Sequence, residues 1–192
     1  MAIEERRARD REAQRRLIVT TARRLAEAQG WDAVTTRRLS DEIEYSQPVL
    51  YKHFSSMDDI AAAVAIDGFD ELAVALAHAR SGADTPQQAL RRVAHAYFDF
   101  AQRNPTLYDA MFTRTTTLHF ATTETPQQLS AAFAELRAVV AATADDRDVD
   151  TCTEVLWAAL HGLITLTRSA RLRPDRDSER IDLLVDDVFT NA

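Results

Sequence analysis

The chain has 192 residues with 46% hydrophobic and 28% charged side chains and only 4 glycines, a composition that excludes a disordered or turn-rich protein and favours helices. Its single cysteine, Cys152, excludes an internal disulfide, and its longest uncharged segment, 155–167, is too short for a membrane span, so we expect a cytoplasmic protein with no membrane partner. The net charge of −7 hides an asymmetry, because residues 1–57 hold 11 Lys and Arg against 9 Asp and Glu and the remainder is acidic.

The predicted elements are all helices, since apolar residues recur at helical spacing and no strand alternation appears. Residues 1–8 are expected to form a flexible basic arm. The first helices are then predicted at 9–29, 36–43, 46–54 and 57–80. Ser46 is a suitable N-cap for the third of these, and Ser56 with Asp59 forms a capping box before the fourth.

Threonine start signals mark the helices in the second half of the chain. Thr85 and Thr125 each stand before a proline and have a glutamine three residues later, which is a capping pattern. Thr151 with Glu154 opens a further helix in the same way. The remaining predicted helices cover 86–103, 106–112, a stretch after 125, 151–172 and 176–189. The sequence therefore predicts an all-α fold of about nine helices.

Residues 35–54 carry most of the functional information. Two short helices are joined by a three-residue turn, 44–46, and their inward side chains are Leu39, Ile43, Leu50 and Phe54. This pattern predicts a helix-turn-helix whose second helix can lie in a DNA major groove; the alternative is an ordinary αα-hairpin in a bundle. The outward side chains of that helix are Gln47, Pro48, Val49, Tyr51, Lys52 and His53. Gln can read adenine, an apolar group can meet a thymine methyl, and Lys and Tyr can reach phosphates.

Residues 9–60 resemble the N-terminal domain of the TetR family of transcriptional regulators. The strongest match is Ser46-Gln-Pro-Val-Leu-Tyr-Lys-His-Phe54, which is similar to the family signature Ser-x-x-x-Leu-Tyr-x-His-Phe. The preceding Thr35-Thr-Arg-Arg-Leu39 resembles the tetracycline repressor's own helix-turn-helix. The resemblance implies that the residues facing bases are Arg37, Gln47, Pro48 and Val49. It implies that the residues holding the DNA backbone are Thr36, Tyr51, Lys52 and His53. Ser46, at the start of the same helix, is also included among the candidate DNA-binding residues.

Two positions depart from the family pattern. The turn usually contains a small residue and a glycine, whereas this chain has Glu44-Tyr45. The turn must therefore adopt a positive φ without glycine or bend differently. The lysine that usually opens the fourth helix is here Met57, so the resemblance implies one phosphate contact fewer.

The segment Trp157-Ala-Ala-Leu-His161-Gly162 resembles a TetR C-terminal subtype marked by Trp, His and Gly, which implies that its helix lies in or near a dimer interface. Two apolar stripes point the same way, one on this helix and one on the last helix. Their members are Leu156, Leu160, Leu163, Ile164, Ile181, Leu184, Val185 and Val188. We predict a four-helix seam across a two-fold axis, with Gly162 permitting close approach. The alternative is that both stripes pack internally.

Aromatic and polar residues between the DNA-binding segment and that seam form a candidate ligand pocket. The predicted lining is Tyr97, Phe100, Tyr108, Met111, His119, Trp157 and His161. An apolar pocket with a few polar groups is typical of small-molecule sites. The alternative is that these residues simply fill the core, with His161 as a hydrogen-bonded buried histidine.

The sequence contains no complete metal-binding or catalytic motif. Asp146-x-Asp-x-Asp150 begins like a calcium loop, but Thr151 and Trp157 stand where Gly and Glu are needed. The histidines are scattered, and no glycine-rich phosphate loop or nucleophile elbow exists. We expect no metal, no cofactor and no enzymatic activity.

Taken together, these patterns predict a ligand-responsive DNA-binding regulator. It would be a repressor that binds an inverted-repeat operator as a homodimer and is released by a small apolar molecule. The DNA-binding domain is predicted at 9–56 and the ligand-binding and dimerisation domain at 57–192. The alternative is a helical small-molecule-binding protein or enzyme with no DNA role, which would lack salt-dependent binding to a duplex.

Overall fold

The computed structural model describes residues 2–114, 118, 125–144 and 146–189. Over these residues it contains nine α-helices, one short 3-10 helix at Trp31–Ala33 and no strand, which confirms the predicted all-α fold. The α-helices are α1 (Ala2–Gln29), α2 (Thr36–Ile43), α3 (Gln47–Tyr51), α4 (Met57–Ser81), α5 (Pro86–Arg103), α6 (Pro105–Phe112), α7 (Gln127–Ala141), α8 (Val149–Arg168) and α9 (Asp177–Phe189). None of the described helices is long and apolar enough to cross a membrane.

The chain divides into two compact units. The first consists of Met1–Gly68 and Pro105–Glu124, and the second of Phe69–Asn104 and Thr125–Ala192. The division therefore falls inside α4, twelve residues after the boundary expected from sequence, and it assigns α6 to the same unit as the helix-turn-helix.

The helix α1 begins earlier than expected. The flexible arm expected at 1–8 is helical from Ala2 onward. The physical reason is local, because no proline or glycine precedes Gln29 and the acidic Glu4 and Glu5 lie in the first turn, where the helix dipole favours negative charge. Side chains 3–13 are all exposed, and the buried face of α1 starts only with Ile18.

The turn between α2 and α3 takes a left-handed conformation without glycine. Thr35 caps α2 by accepting a hydrogen bond from the Arg38 backbone N–H at 3.3 Å. Glu44 ends the helix with φ of 58° and ψ of 31°. A side chain in this conformation costs about 1–2 kcal/mol relative to the right-handed region. Burial of Leu39 and Leu50, exposed by 0% and 2%, stabilises the pair of helices against that cost.

The helix α6 contacts the rest of the first unit at two places. The indole Nε1 of Trp31 donates a hydrogen bond to the Thr106 carbonyl at 3.0 Å. On α4, a Cβ built at Gly68 would lie 2.8 Å from the sulfur of Met111 and 2.9 Å from Cδ1 of Leu107. The absence of a side chain at Gly68 therefore sets how closely α4 and α6 approach.

The second unit is built on buried stripes of α5, α7, α8 and α9. Arg91 and His95 of α5 tie α9 to this core, since Arg91 lies 2.7 Å and the His95 ring 2.9 Å from Asp182. Arg91 also pairs with Asp186. The hydrogen bond from His95, together with Arg91, holds the pKa of Asp182 below its ordinary value.

The predicted start signals were accurate for some helices and not for others. Thr85 accepts from the Gln88 N–H at 3.2 Å and Ser56 from the Asp59 N–H at 3.1 Å, as the capping patterns predict. The Thr125 pattern was wrong in register, because Pro126 is the N-cap of α7 and has no side-chain acceptor. Asp148 caps α8 by accepting from the Thr151 N–H at 2.8 Å, so that helix begins at Val149.

Candidate functional site

The helix α3 presents a continuous exposed face. Leu50 is buried and holds α3 on the first unit, while Val49 and His53 are half-buried beside it. The exposed residues of this segment that were predicted to bind DNA are Ser46, Gln47, Pro48, Tyr51 and Lys52. Ser46 stands at the N-cap, but its side chain makes no capping bond; its carbonyl accepts from the Val49 N–H at 2.9 Å. A hydrophobic anchor thus leaves the polar side of a short helix free for a ligand.

The start of α2 lies next to the end of α3. The hydroxyl oxygens of Thr36 and Tyr51 are 3.5 Å apart, so these two residues share one surface. Arg37, the next residue of α2, is exposed. Hydroxyl groups that project from two helices at one edge suit contacts to consecutive phosphates. The structure therefore brings together residues that the sequence placed 15 positions apart.

Positive charge converges on the C-terminal end of α3. The ring Nε2 of His53 lies 3.2 Å from the Gln14 amide oxygen, and the Arg15 guanidinium donates to the His53 carbonyl at 3.3 Å. Arg15 also stacks over the Phe54 ring at 4.2 Å from its centre. Burial, and then the charges of Arg11, Arg15 and Lys52, lower the pKa of His53 below its ordinary value. Arg15, His53 and Phe54 line a cavity that Asp59 also lines, and the Asp59 carboxylate accepts the Ser55 backbone N–H at 3.1 Å.

The predicted pocket residues are divided between the two compact units. Tyr97, Phe100, Trp157 and His161 belong to the second unit, whereas Tyr108 and Met111 belong to α6 in the first. His119 lies outside the described residues. Within the second unit, the Trp157 indole donates to the buried Tyr97 hydroxyl at 2.9 Å, and His161 follows one turn later on α8. Burial lowers the pKa of His161, so this half-buried ring is neutral near pH 7.

Most of the predicted dimer stripe is turned inward. The side chains exposed by 1% or less are Leu156, Leu160, Ile164, Ile181 and Val185. Because these side chains are buried within the chain itself, they are not available to contact a partner. Their prediction as dimer contacts is corrected to the alternative, internal packing. Leu163 and Leu184 are half-buried, and the side chain of Val188 lies outside the described part of the chain.

A second apolar face on α8 was missed. Val155 is 49% and Leu166 37% exposed, and Ala158 and Gly162 lie between them on the same side of the helix. A Cβ built at Gly162 would have nothing within 4 Å. The signal was present in the sequence as the uncharged run 155–167, which is longer than one buried stripe requires.

In the described residues no cluster of three or more His, Cys, Asp or Glu could hold a metal ion.

An exposed recognition helix held on a three-helix core defines a helix-turn-helix protein of the transcription-regulator class. Residues 18–64 match the family model described as bacterial regulatory proteins, tetR family. Residues 90–188 match the model described as tetracyclin repressor-like, C-terminal domain, which is more than half of the chain. The protein belongs to the TetR family of transcriptional regulators.

A sequence relative and two solved structures of similar fold each match most of the chain. An uncharacterized HTH-type transcriptional regulator of Bacillus subtilis, YobS, is 26% identical over 166 residues, covering 84% of this chain and 83% of that protein. A structure of a protein of unknown function from Rhodococcus has a TM-score of 0.72 at 24% identity and covers 90% of this chain and 92% of its own. The Bacillus subtilis regulator FadR, solved in complex with stearoyl-CoA, has a TM-score of 0.66 at 12% identity and covers 88% and 96%.

Proposed function

We propose that this regulator is a repressor that binds an inverted-repeat operator as a homodimer and leaves the operator when a small apolar molecule binds. The observation that supports the DNA-binding part is the exposed face of α3, where side chains able to read bases and side chains able to bind phosphates lie side by side. The cations Arg11, Arg15 and Lys52 surround His53 at one end of that face. Such a local positive field attracts a polyanion in spite of the net charge of −7.

Each side chain on this face has a role that its chemistry supports. Arg37 can form a bidentate pair with guanine and Gln47 with adenine, and Val49 can meet a thymine methyl. The groups that can hold phosphates are Thr36, Tyr51, Lys52 and His53. Pro48 fixes the backbone of the first turn and lies on the exposed side next to Gln47.

Arg37→Ala is expected to relax the preference for particular DNA sequences, whereas Lys52→Ala is expected to weaken binding to all DNA sequences alike. A bidentate Arg–guanine pair contributes about 1–3 kcal/mol of discrimination. Loss of one phosphate contact should instead reduce the salt slope by about 1 per protomer. The test is selection from a random duplex pool, followed by titration of each variant on the selected duplex and on a scrambled one.

The neighbouring Arg38→Ala serves as the matched control, because it removes the same charge from the next position of α2. Its base preference should equal that of the wild type. If Arg37→Ala lost affinity equally on both duplexes, Arg37 would be a phosphate contact, and failure of the wild-type protein to bind any duplex would refute the DNA-binding role.

DNA binding is expected to tighten as the pH falls from about 7.5 to about 5.5, and His53→Gln should remove most of that dependence. In the free protein the pKa of His53 is lowered, so the ring is neutral near pH 7. A phosphate beside the ring raises the pKa of His53 in the complex. Binding to DNA is therefore coupled to the uptake of a proton, and the affinity for DNA increases as the pH falls. A rise of one pKa unit would correspond to up to about tenfold in affinity per protomer.

Fluorescence anisotropy at constant ionic strength measures this dependence. The control is His78→Gln, since His78 is exposed on α4, outside the predicted DNA-binding set. A His53→Gln profile that overlays the wild type would show that the proton is taken up elsewhere.

Dimerisation is proposed to use the exposed face of α8 defined by Val155, Ala158, Gly162 and Leu166. No charged side chain occurs between Glu154 and Arg168, which is unusual for a helix side left open to water. A glycine inside a helix costs about 1 kcal/mol relative to alanine, and no described residue outside its own helix comes within 4 Å of a Cβ built at Gly162. Close approach of a second helix would explain both features.

The proposed effector-binding region consists of the predicted pocket residues that lie in the second unit, which are Tyr97, Phe100, Trp157 and His161. The hydrogen bond between Trp157 and Tyr97 joins α8 to α5, so a molecule inserted beside it would displace α5. The chain passes from the end of α5 at Arg103 directly into α6 at Pro105. Because α6 is bonded to Trp31 and packed against Gly68, its movement would reach the DNA-binding helices. The stearoyl-CoA bound by FadR is a precedent for a ligand with a large apolar part.

A further inference from the structure

The first three turns of α1 form an unusual surface. Side chains 3–13 are exposed without interruption, so this part of the helix is not held by a core. Six arginines occur in or beside it: Arg6, Arg7, Arg9, Arg11, Arg15 and Arg16. An isolated helix of this length is only marginally stable in water. A helix that extends beyond its domain is therefore stabilised most by a partner that contacts it along its length.

The arginines are divided between two opposite sides of the helix. Arg7, Arg11 and Arg15 follow one another at four-residue spacing, about 6 Å apart, on the side that becomes buried at Ile18. We call them the inner row. Arg9 and Arg16 lie on the opposite side of α1.

The inner row is continuous with the recognition helix. Its last member, Arg15, donates to the His53 carbonyl and stacks on Phe54, directly after α3. Gln14, on the same side, contacts the His53 ring. Arg11 is close enough to His53 to lower the pKa of its ring. A duplex lying against α3 would therefore meet Arg11 next, and Arg7 about one helical turn further out.

We propose that the inner row extends the DNA interface, with Arg7 and Arg11 binding phosphates of the duplex that α3 reads. This inference rests on the proposed DNA-binding function. The occupant is the sugar–phosphate backbone, because guanidinium groups repeated along one side of a rigid helix match a line of phosphates, and such contacts position a protein on DNA of any sequence. The acidic side chains of the same segment, Glu4, Glu5, Asp10 and Glu12, keep the extension from acting as an unrestricted polycation.

The test compares two double variants of equal charge in the full-length protein. Arg7→Gln/Arg11→Gln removes the exposed part of the inner row, and Arg9→Gln/Arg16→Gln removes two arginines from the other side. Affinity for a mixed-sequence duplex is measured over a salt series. We expect the first variant to make the salt slope shallower by about 1.8 per protomer, since each lost phosphate contact contributes about 0.9. The second should shift the slope by less than half as much.

The affinity of Arg7→Gln/Arg11→Gln should fall by a similar factor on a selected operator and on mixed-sequence DNA. Circular dichroism should show an unchanged helix content, since Gln and Arg have similar helix propensities. Equal slopes for the two double variants, or a wild-type slope in Arg7→Gln/Arg11→Gln, would overturn the inference while the proposed function stood. Absence of wild-type binding would overturn both.

Discussion

Leu166→Glu is expected to convert a dimer into a monomer. The proposed interface buries Leu166 against a second copy, and the two-fold axis would place two unpaired carboxylates in an apolar seam. Burying an unpaired charge costs several kcal/mol, so the dimer dissociation constant should rise by at least about a hundredfold. Sedimentation equilibrium measures the change directly. Affinity for an inverted-repeat duplex should fall with it, because each protomer then holds one half-site alone.

The control for this experiment is Val74→Glu, which also places a carboxylate at an exposed apolar position. Val74 is 70% exposed on α4 and is not part of the α8 face, so this variant should remain dimeric. Leu160→Glu is unsuitable, because Leu160 is fully buried and its substitution would unfold the chain whatever the interface. A dimeric Leu166→Glu would move the interface away from α8.

Gly68→Leu is expected to destabilise the protein by about 1–2 kcal/mol. The new side chain would enter the space held by Leu107 and Met111, and overpacking of this kind costs about 1–3 kcal/mol or more. The gain in helix propensity of about 1 kcal/mol offsets part of that cost. Urea unfolding followed by circular dichroism measures the difference in the free energy of unfolding.

A double-mutant cycle identifies the cause. Leu107→Ala alone should also destabilise, because Leu107 is 1% exposed and its loss leaves a cavity. In Gly68→Leu/Leu107→Ala the new side chain fills that cavity, so the combined loss should be smaller than the sum of the two single losses by at least about 1 kcal/mol. Additive losses would mean that α6 does not pack on Gly68 as described.

The helical class and the helix-turn-helix segment can both be predicted from the amino-acid sequence alone. Both follow from short-range rules: apolar spacing fixes which segments are helices, and caps such as Thr35, Ser56 and Thr85 fix where several of them begin. The Ser46–Phe54 motif was recognisable because one short helix carries its anchor, Leu50, and its outward side chains together. The turn at Glu44 was foreseen as a choice between two conformations, and the packing of α2 against α3 selects the left-handed one.

Which side of each helix faces the core depends on the packing between helices. On α8 two uncharged sides were available, and packing against α5, α7 and α9 takes the stripe at Leu156, Leu160 and Ile164, leaving Val155, Gly162 and Leu166 outside. Periodicity shows that a stripe exists but does not say whether its partner lies in the same chain. The same holds for Tyr108 and Met111, which were grouped with Tyr97 by composition. Burial of α6 against α1 and α4, over long sequence separation, assigns them to the first unit, because contacts between distant segments leave no local signal in the sequence.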